Sequence, residues 1–523
     1  MRVPVLIVGA GYAGLSAATM LAWRGIPVLL VERHAGTSVQ PKAFGVNTRA
    51  MELLRPVPGL EEELAGIRQG VGDGIRIAVA SSLTDPEPNV LFDTSASPFP
   101  THLSPAADLG VPQAEVERVL RAKAEELGAD LRFSTEFVSL EQDDDGVTAL
   151  IRAEDGTETT VRAEYVIAAD GYRSPLREQL GIPTSGKGVL NHLQSIMFDA
   201  DLSTLVNEDE VTLWYLQNPE LTGVFVIGTG VGAHVLGVSY EGEPDPDHEK
   251  LVRLGVGVPD LDVTVLDTAT FTTAHILADR YREGRVFLAG DAAHTMPPTG
   301  GQGGSTALQD GCDLAWRLWL VITGQAGPGF LDSYDAERRP IGELTADAQL
   351  ANLGFRLPPA QRVDDYPEPL DDPFGALLGY RYHSFAILPE LGEDGSLLED
   401  PRTPHGRPGG RAAHVVLDWD GRPISTHDLF GSGFVLLAGP YGEAWVEAGR
   451  AVRDQLNVRL APHRIGGELL DEEGVWLERY GVTKSGAVLI RPDGFIAWRS
   501  MSADLDPAAT LERVLLRILA RTA

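Results

Sequence analysis

The sequence predicts an α/β chain in which a parallel-sheet unit is interleaved with an antiparallel β layer and followed by a separate C-terminal domain. Three observations predict it. Residues 3–8 form a nearly continuous apolar run that ends at Gly9, and an Ala- and Leu-rich stretch then leads to a second apolar run, Val28–Val31. This is how strands buried on both faces of a parallel sheet read. The buried-strand pattern returns at residues 165–168 and 285–289. Between these returns, VTLWYL, GVFVIG and AHVLGVSY are separated by Gly, Asn and Pro, as antiparallel strands are.

In chain order, residues 15–24 have helical character and Gly25 stands where a left-handed glycine closes a helix, completing one βαβ unit. Gln113–Glu126 reads as a charged amphipathic helix, and residues 303–320 read as a helix. Residues 357–373, rich in Pro and Asp, interrupt the pattern, and the Pro- and Gly-rich residues 400–410 read as a linker. The division expected is 1–180 for the first part of the parallel unit, with insertions near 76–104, then 181–274 for the β layer. Residues 275–400 supply the second part and a helical connection, and 401–523 a C-terminal domain. The runs DDDG at Asp143 and EEE at Glu61 read as a solvated turn and a helix face.

Composition narrows the function. With 43% hydrophobic and 23% charged residues, the 523-residue chain is a folded, water-soluble one rather than disordered, fibrous or membrane-embedded. A net charge of −32 repels phosphate backbones and anionic lipid, so neither nucleic acid nor membrane is an expected partner. The single cysteine, Cys312, excludes an intrachain disulfide and CxxC chemistry. Any redox work must belong to a bound cofactor. The apolar N-terminus, broken by Gly9, Gly11, Gly14, Arg24 and Gly25, reads as the first βαβ unit and not as a signal peptide, and a cytoplasmic location is expected. The 12 histidines show no HxxxH pair, so no metal site is indicated.

Three motifs carry chemistry. Gly9-x-Gly11-x-x-Gly14, with Ala13 inside it, follows a strand and opens a helix, and the acidic Glu32 comes 21 positions past Gly11. This is the arrangement of a Rossmann-like dinucleotide site: Gly9 permits the turn, Gly11 lets amides approach a pyrophosphate, Gly14 lets helix pack on strand, and Glu32 accepts from a ribose. The second motif is Ala169-Asp170-Gly171-Tyr172-Arg173-Ser174-Pro175-Leu176-Arg177. The third is Gly290-Asp291-Ala292-Ala293-His294-Thr295-Met296-Pro297-Pro298, followed by Gly300-Gly301-Gln302-Gly303-Gly304. An acidic residue after a buried strand can hydrogen-bond a polyol, and the free amides of a glycine-rich helix start can face an anionic ring. Each motif alone is also compatible with an aspartate-capped turn.

Together and in this order, the motifs resemble the fingerprints of the class A flavoprotein monooxygenases, the p-hydroxybenzoate hydroxylase-like FAD enzymes. The segments WYLQNPELTGVF and LLGYRYHS with the C-terminal tail are similar to the subgroup that hydroxylates aromatic polyketides in bacterial antibiotic pathways. The resemblance implies that Gly9, Gly11, Ala13, Gly14, Glu32 and Arg33 hold the ADP half of FAD, and that Asp291 holds the ribityl chain. It places the amides from Gly300 to Gly304, including Gly301 and Gly303, at the pyrimidine end of the ring. Gln113 falls where the family has a flavin-contacting glutamine, and Asp170 and Arg177 would support the cofactor and the nicotinamide route. Lys42 stands where the family often has Arg, and carries a weaker expectation of flavin contact.

By the same resemblance, NADPH or NADH reduces FAD, O2 adds at the flavin, and a C4a-hydroperoxide delivers oxygen to an activated aromatic substrate. Pro298 and His294 would lie near the ring, with His294 equally readable as a structural histidine. Tyr215 and Arg381 are expected at the substrate, Arg381 to stabilise a phenolate or carbonyl. The tail resembles a thioredoxin fold without CxxC, with Gly486 near the cis-proline position, so packing or a homodimer contact is its expected role. Baeyer–Villiger oxygen insertion, antibiotic inactivation, a plain reductase or a flavin-holding binding protein use the same cofactor site. A halogenase is disfavoured because no WxWxIP segment is present.

Overall fold

The computed structural model describes residues 1–37, 44–67, 74–93, 101–205, 210–227, 234–357 and 365–522. In the first sheet, Arg2–Val8 lies between Glu158–Ala168 and Val28–Val31, all parallel, with Val286–Leu288 parallel on one side and Asp130–Arg132 on the other. Val5, Leu6 and Ile7 are fully buried, which is why this strand is apolar without alternation. Thr135–Asp143 and Gly146–Ala153 add an antiparallel hairpin beside Glu158–Ala168. Its turn contains the DDDG run.

Helix Tyr12–Trp23 packs directly on helix Gln302–Ile322. The approach is too close for any side chain at the crossing, since a Cβ on Gly311 would stand 2.2 Å from Ser16 Oγ and 2.3 Å from the Ala13 carbonyl. Ser16 Oγ donates across the crossing to the Leu308 carbonyl at 3.2 Å.

The second sheet has eight strands, in the order His294–Thr295, Thr264–Ala278, Thr184–Asp199, His234–Tyr240, Leu221–Ile227, Glu210–Asn218, Gly74–Ala80, Asn89–Asp93. It is wider than its central run suggests and not wholly antiparallel, because Gly74–Ala80, from the predicted insertion, pairs parallel with Glu210–Asn218. A seven-residue strand carries nothing local that states which sheet it will join. Helix His248–Val256 covers one face, its Leu251 and Val252 packing in one cluster with Trp214, Leu216, Phe225 and Leu236 of the sheet. On the opposite face Leu213, Tyr215, Val224, Val226 and Val235 are only half-buried.

In the C-terminal part, Phe434–Ala438, helix Glu443–Leu456 and Leu460–Arg464 make a parallel βαβ unit. Ala487–Ile490 and Ile496–Ser500 extend it antiparallel, and helix Pro507–Ile518 follows. This is the thioredoxin-like arrangement. Among the described residues no helix is long and apolar enough to cross a membrane.

Candidate active site

The three glycine and aspartate motifs meet at the carboxyl ends of adjacent parallel strands, where open α/β sheets form their ligand crevice. The Gly9 amide donates to the Val31 carbonyl at 2.8 Å, Ala169 N to Val8 O at 2.9 Å, and Ala289 N to Ala168 O at 3.0 Å. Two glycines are forced by this packing. Gly9 has φ +107°, and a Cβ there would stand 2.1 Å from the Ala169 carbonyl; a Cβ on Gly14 would stand 1.9 Å from the Gly9 carbonyl.

Gly11 is different. Among the described residues a Cβ there would meet nothing within 4 Å, and none of their side chains caps the start of helix Tyr12–Trp23. Helix Gln302–Ile322 also starts from a glycine, Gly301 at φ +68°, with no side-chain cap among the described residues and no acidic residue in its first turn. The crevice thus presents two helix starts with free amides and an open space beside Gly11, which suits the phosphates and the electron-poor ring of FAD.

Glu32 holds the first turn together. One carboxylate oxygen accepts from the Ala10 amide at 2.9 Å, and the other from the His34 amide at 3.0 Å, with His34 Nδ1 at 2.5 Å. Arg33 is exposed beyond it. Ala13 is buried, its Cβ 3.1 Å from where a Cβ on Gly290 would be, so the first and third motifs touch. Asp170 accepts from Ser174 Oγ at 2.6 Å and from Leu176 N at 3.0 Å, and burial raises its carboxyl above the ordinary range. Arg177 donates to the Ala292 carbonyl at 2.8 Å and the Tyr172 carbonyl at 3.1 Å, tying the second motif to the third. Gln113 begins helix Gln113–Glu126 and donates to Glu117 at 2.6 Å. Lys42 lies outside the described residues.

In the third motif Asp291 is exposed at the crevice, as is Pro298, whose carbonyl accepts from Gly300 N at 2.9 Å and Gly301 N at 3.2 Å. Gly303 and Gly304 lie in the first turn of the following helix. His294 takes the structural role. It is 1% exposed, and its Nε2 lies 2.6 Å from Asp310. Asp310 also accepts from the Gly290 amide at 2.9 Å and Arg338 Nε at 2.8 Å. Burial alone would raise the Asp310 carboxyl, but His294 and Arg338 hold it below its ordinary value.

Tyr215 and Arg381 are not brought together. Tyr215 stands on the half-buried sheet face, its hydroxyl bonded to Arg356 from the end of helix Asp332–Arg356. Arg381 is 2% exposed and turned toward acidic neighbours, with Glu393 at 2.5 Å, Asp394 at 3.5 Å and Glu399 at 3.8 Å, and it donates to the Pro408 carbonyl at 3.2 Å. A guanidinium so committed is a packing element of the connection to the C-terminal part. The sequence reading missed Arg356, Asp310 and Arg338. Asp310, Asp313 and Arg317 were detectable as charges on a helix that also carries Leu308, Leu314 and Trp316, all of them buried.

Comparison with known proteins agrees with this geometry. Residues 2–349 match the FAD binding domain family, and residues 405–522 the aromatic-ring hydroxylase C-terminal family. The chain belongs to the class A flavin monooxygenases, as an FAD-dependent aromatic hydroxylase. Among its relatives it is 42% identical to 4-methyl-5-nitrocatechol 5-monooxygenase of a Burkholderia species, over 100% of this chain and 98% of the relative. It is also 42% identical to aklavinone 12-hydroxylase of Streptomyces purpurascens, over 99% of each chain. The crystal structure of aklavinone-11 hydroxylase with FAD and aklavinone superposes with a TM-score of 0.93 at 40% identity, covering 99% of both chains.

Proposed function

We propose that this monooxygenase hydroxylates a polycyclic aromatic polyketide or a related phenol, bound between the flavin crevice and the half-buried face of the second sheet. The observation that carries the reading is the Tyr215 hydroxyl, held by Arg356 at 2.6 Å on a half-buried face that also carries Leu213, Val224, Val226 and Val235. Such a face accepts a flat hydrophobic ring system, and one polar pair on it orients a ring oxygen. Likeness to aklavinone 12-hydroxylase supports the polycyclic reading, and likeness to 4-methyl-5-nitrocatechol 5-monooxygenase the phenolic one.

FAD, when bound, takes electrons from NAD(P)H and activates O2 for transfer to the ring. The chain supplies the rest. Gly11 and the amides opening helix Tyr12–Trp23 receive the pyrophosphate, Glu32 the ribose, Asp291 the ribityl chain, and the helix start at Gly301 the pyrimidine edge. The carbonyl of Pro298 fixes Gly300 and Gly301 in the turn that would face the ring. A substrate lying on the sheet face would keep water from the ring, which protects an activated oxygen from unproductive loss. We also assign the flavin-binding parts to 1–180 and 275–400, the sheet layer to 181–274 and the thioredoxin-like part to 401–523.

The test is anaerobic reduction of the holoenzyme by NADPH or NADH, with 4-methyl-5-nitrocatechol or a panel of anthracyclinones, followed by O2 and mass analysis. Substrate-stimulated reduction with a gain of one oxygen in an anthracyclinone supports the reading. Oxygen transfer confined to the nitrocatechol overturns the polycyclic assignment.

A further inference from the structure

The C-terminal part contains no cysteine, so its contribution has to be sought in what it touches. Its hairpin between Ala487–Ile490 and Ile496–Ser500 drives two charged residues into the first unit. Arg491 forks Glu337, Nη1 to one carboxylate oxygen and Nη2 to the other, both at 2.7 Å, and neither side chain is exposed. The backbone carbonyl of Asp493 accepts from Arg49 at 2.6 Å. Glu337 also binds Arg317 and accepts from Ser384 Oγ at 2.6 Å.

The residue after Glu337 in helix Asp332–Arg356 is Arg338, which donates to Asp310 at 2.8 Å and to the Tyr382 hydroxyl at 3.0 Å. The ring of Tyr382 stacks at 4.2 Å on Phe495 of the same hairpin. Asp310 grips the Gly290 amide, one residue before Asp291. A forked Arg–carboxylate pair fixes orientation as well as distance, and buried charges tolerate little displacement because any lost partner leaves an uncompensated charge. The hairpin therefore reaches the crevice through Glu337, Arg338 and Asp310, none of them in solvent.

We propose that the hairpin turn at residues 491–494 is the positioning element for the turn at Gly290 and Asp291. Arg491 and Phe495 set helix Asp332–Arg356 and Tyr382, these aim Arg338, and Arg338 sets where Asp310 holds the Gly290 amide. The geometry with which Asp291 meets the ribityl chain follows. The inference rests on the assignment of Asp291 to that chain.

The experiment uses full-length Arg491→Lys and Tyr382→Phe, with Leu515→Ala as a destabilising control in the buried face of helix Pro507–Ile518. FAD affinity of each apoprotein is measured by fluorescence titration, with the flavin absorption spectrum and Tm alongside. The expected result is an FAD Kd raised about tenfold, the loss of one charged hydrogen bond's worth, with a shifted flavin band in the first two variants. Leu515→Ala should lower Tm without either change. Wild-type Kd and spectrum in Tyr382→Phe and Arg491→Lys overturn the inference, as does a Kd that merely tracks Tm across all three; if Arg491→Lys does not fold, Tyr382→Phe decides. Asp291→Ala separates the two readings: unchanged affinity there removes the ribityl assignment itself, whereas weakened affinity beside an unaffected Arg491→Lys removes only the role of the hairpin.

Discussion

Arg356 Nη1 donates a 2.6 Å hydrogen bond to the Tyr215 hydroxyl, and its guanidinium carbon lies 5.0 Å from the centre of the same ring. Gln217, two residues along the strand, donates to the Arg356 carbonyl at 2.5 Å. The end of helix Asp332–Arg356 is thereby fastened to the sheet face that faces away from helix His248–Val256. Tyr215→Phe removes one bond of this clasp and leaves the flavin crevice intact. The expected outcome is unchanged FAD content, kcat/KM lower by about tenfold, and a larger share of NAD(P)H diverted to peroxide, read from the ratio of product to NAD(P)H consumed.

Glycines of one motif should fail in different ways. Gly11 has an extended backbone with φ −82°, and open space where a Cβ would go, so Gly11→Val should fold with stability within about 0.5 kcal/mol of wild type. It should lose FAD, because the valine would occupy the pyrophosphate's place. Gly14→Ala would press a methyl on the Gly9 carbonyl and should cost about 3 kcal/mol of fold stability before any cofactor is added. Denaturant titration of the two apoproteins, followed by FAD titration, distinguishes them.

Arg381→Ala should behave as a stability variant. Its partners Glu393, Asp394 and Glu399 retain some access to water, so the loss expected is about 2 kcal/mol. The coupling ratio should equal that of the wild type. A fall in coupling with unchanged stability would return Arg381 to the substrate site.

Acid should weaken the junction between the first unit and the C-terminal part. Burial pushes the His427 imidazole down to about 3, and Arg411 and Arg49, which flank Glu52, push the same way; Glu52, 3.6 Å from Nδ1, and the Ala412 carbonyl, 2.9 Å from Nε2, oppose the shift without cancelling it. An unfolded histidine takes up its proton near 6.5. Between those values the unfolded chain binds more protons, so stability falls as pH falls, by up to about 1.4 kcal/mol per unit from this group. Glu52, held below its ordinary 4.5, adds a further loss under that pH. Tm measured from pH 7 to pH 5 should slope downward, and His427→Gln should flatten the slope.

The sequence by itself determined the parallel unit and the chemistry of its crevice. Strand Val28–Val31 and helix Gln113–Glu126 have the predicted bounds, and helix Gln302–Ile322 begins one residue before its predicted start, because apolar runs, helix periodicity and glycine stops are local signals. The Gly9, Gly11 and Gly14 spacing, Asp170 and Asp291 were legible for the same reason: a strand end, a turn and a helix start are consecutive in the chain. Only the tertiary structure decided that Gly74–Ala80 joins the second sheet, that His294 serves Asp310, and that Arg381 faces Glu393 while Arg356 reaches Tyr215. Each of these joins residues far apart in sequence, 141 positions in the case of Tyr215 and Arg356. A charged side chain is equally at home on a surface and in a buried pair, and which it adopts is settled by the packing of elements that its own neighbourhood does not encode.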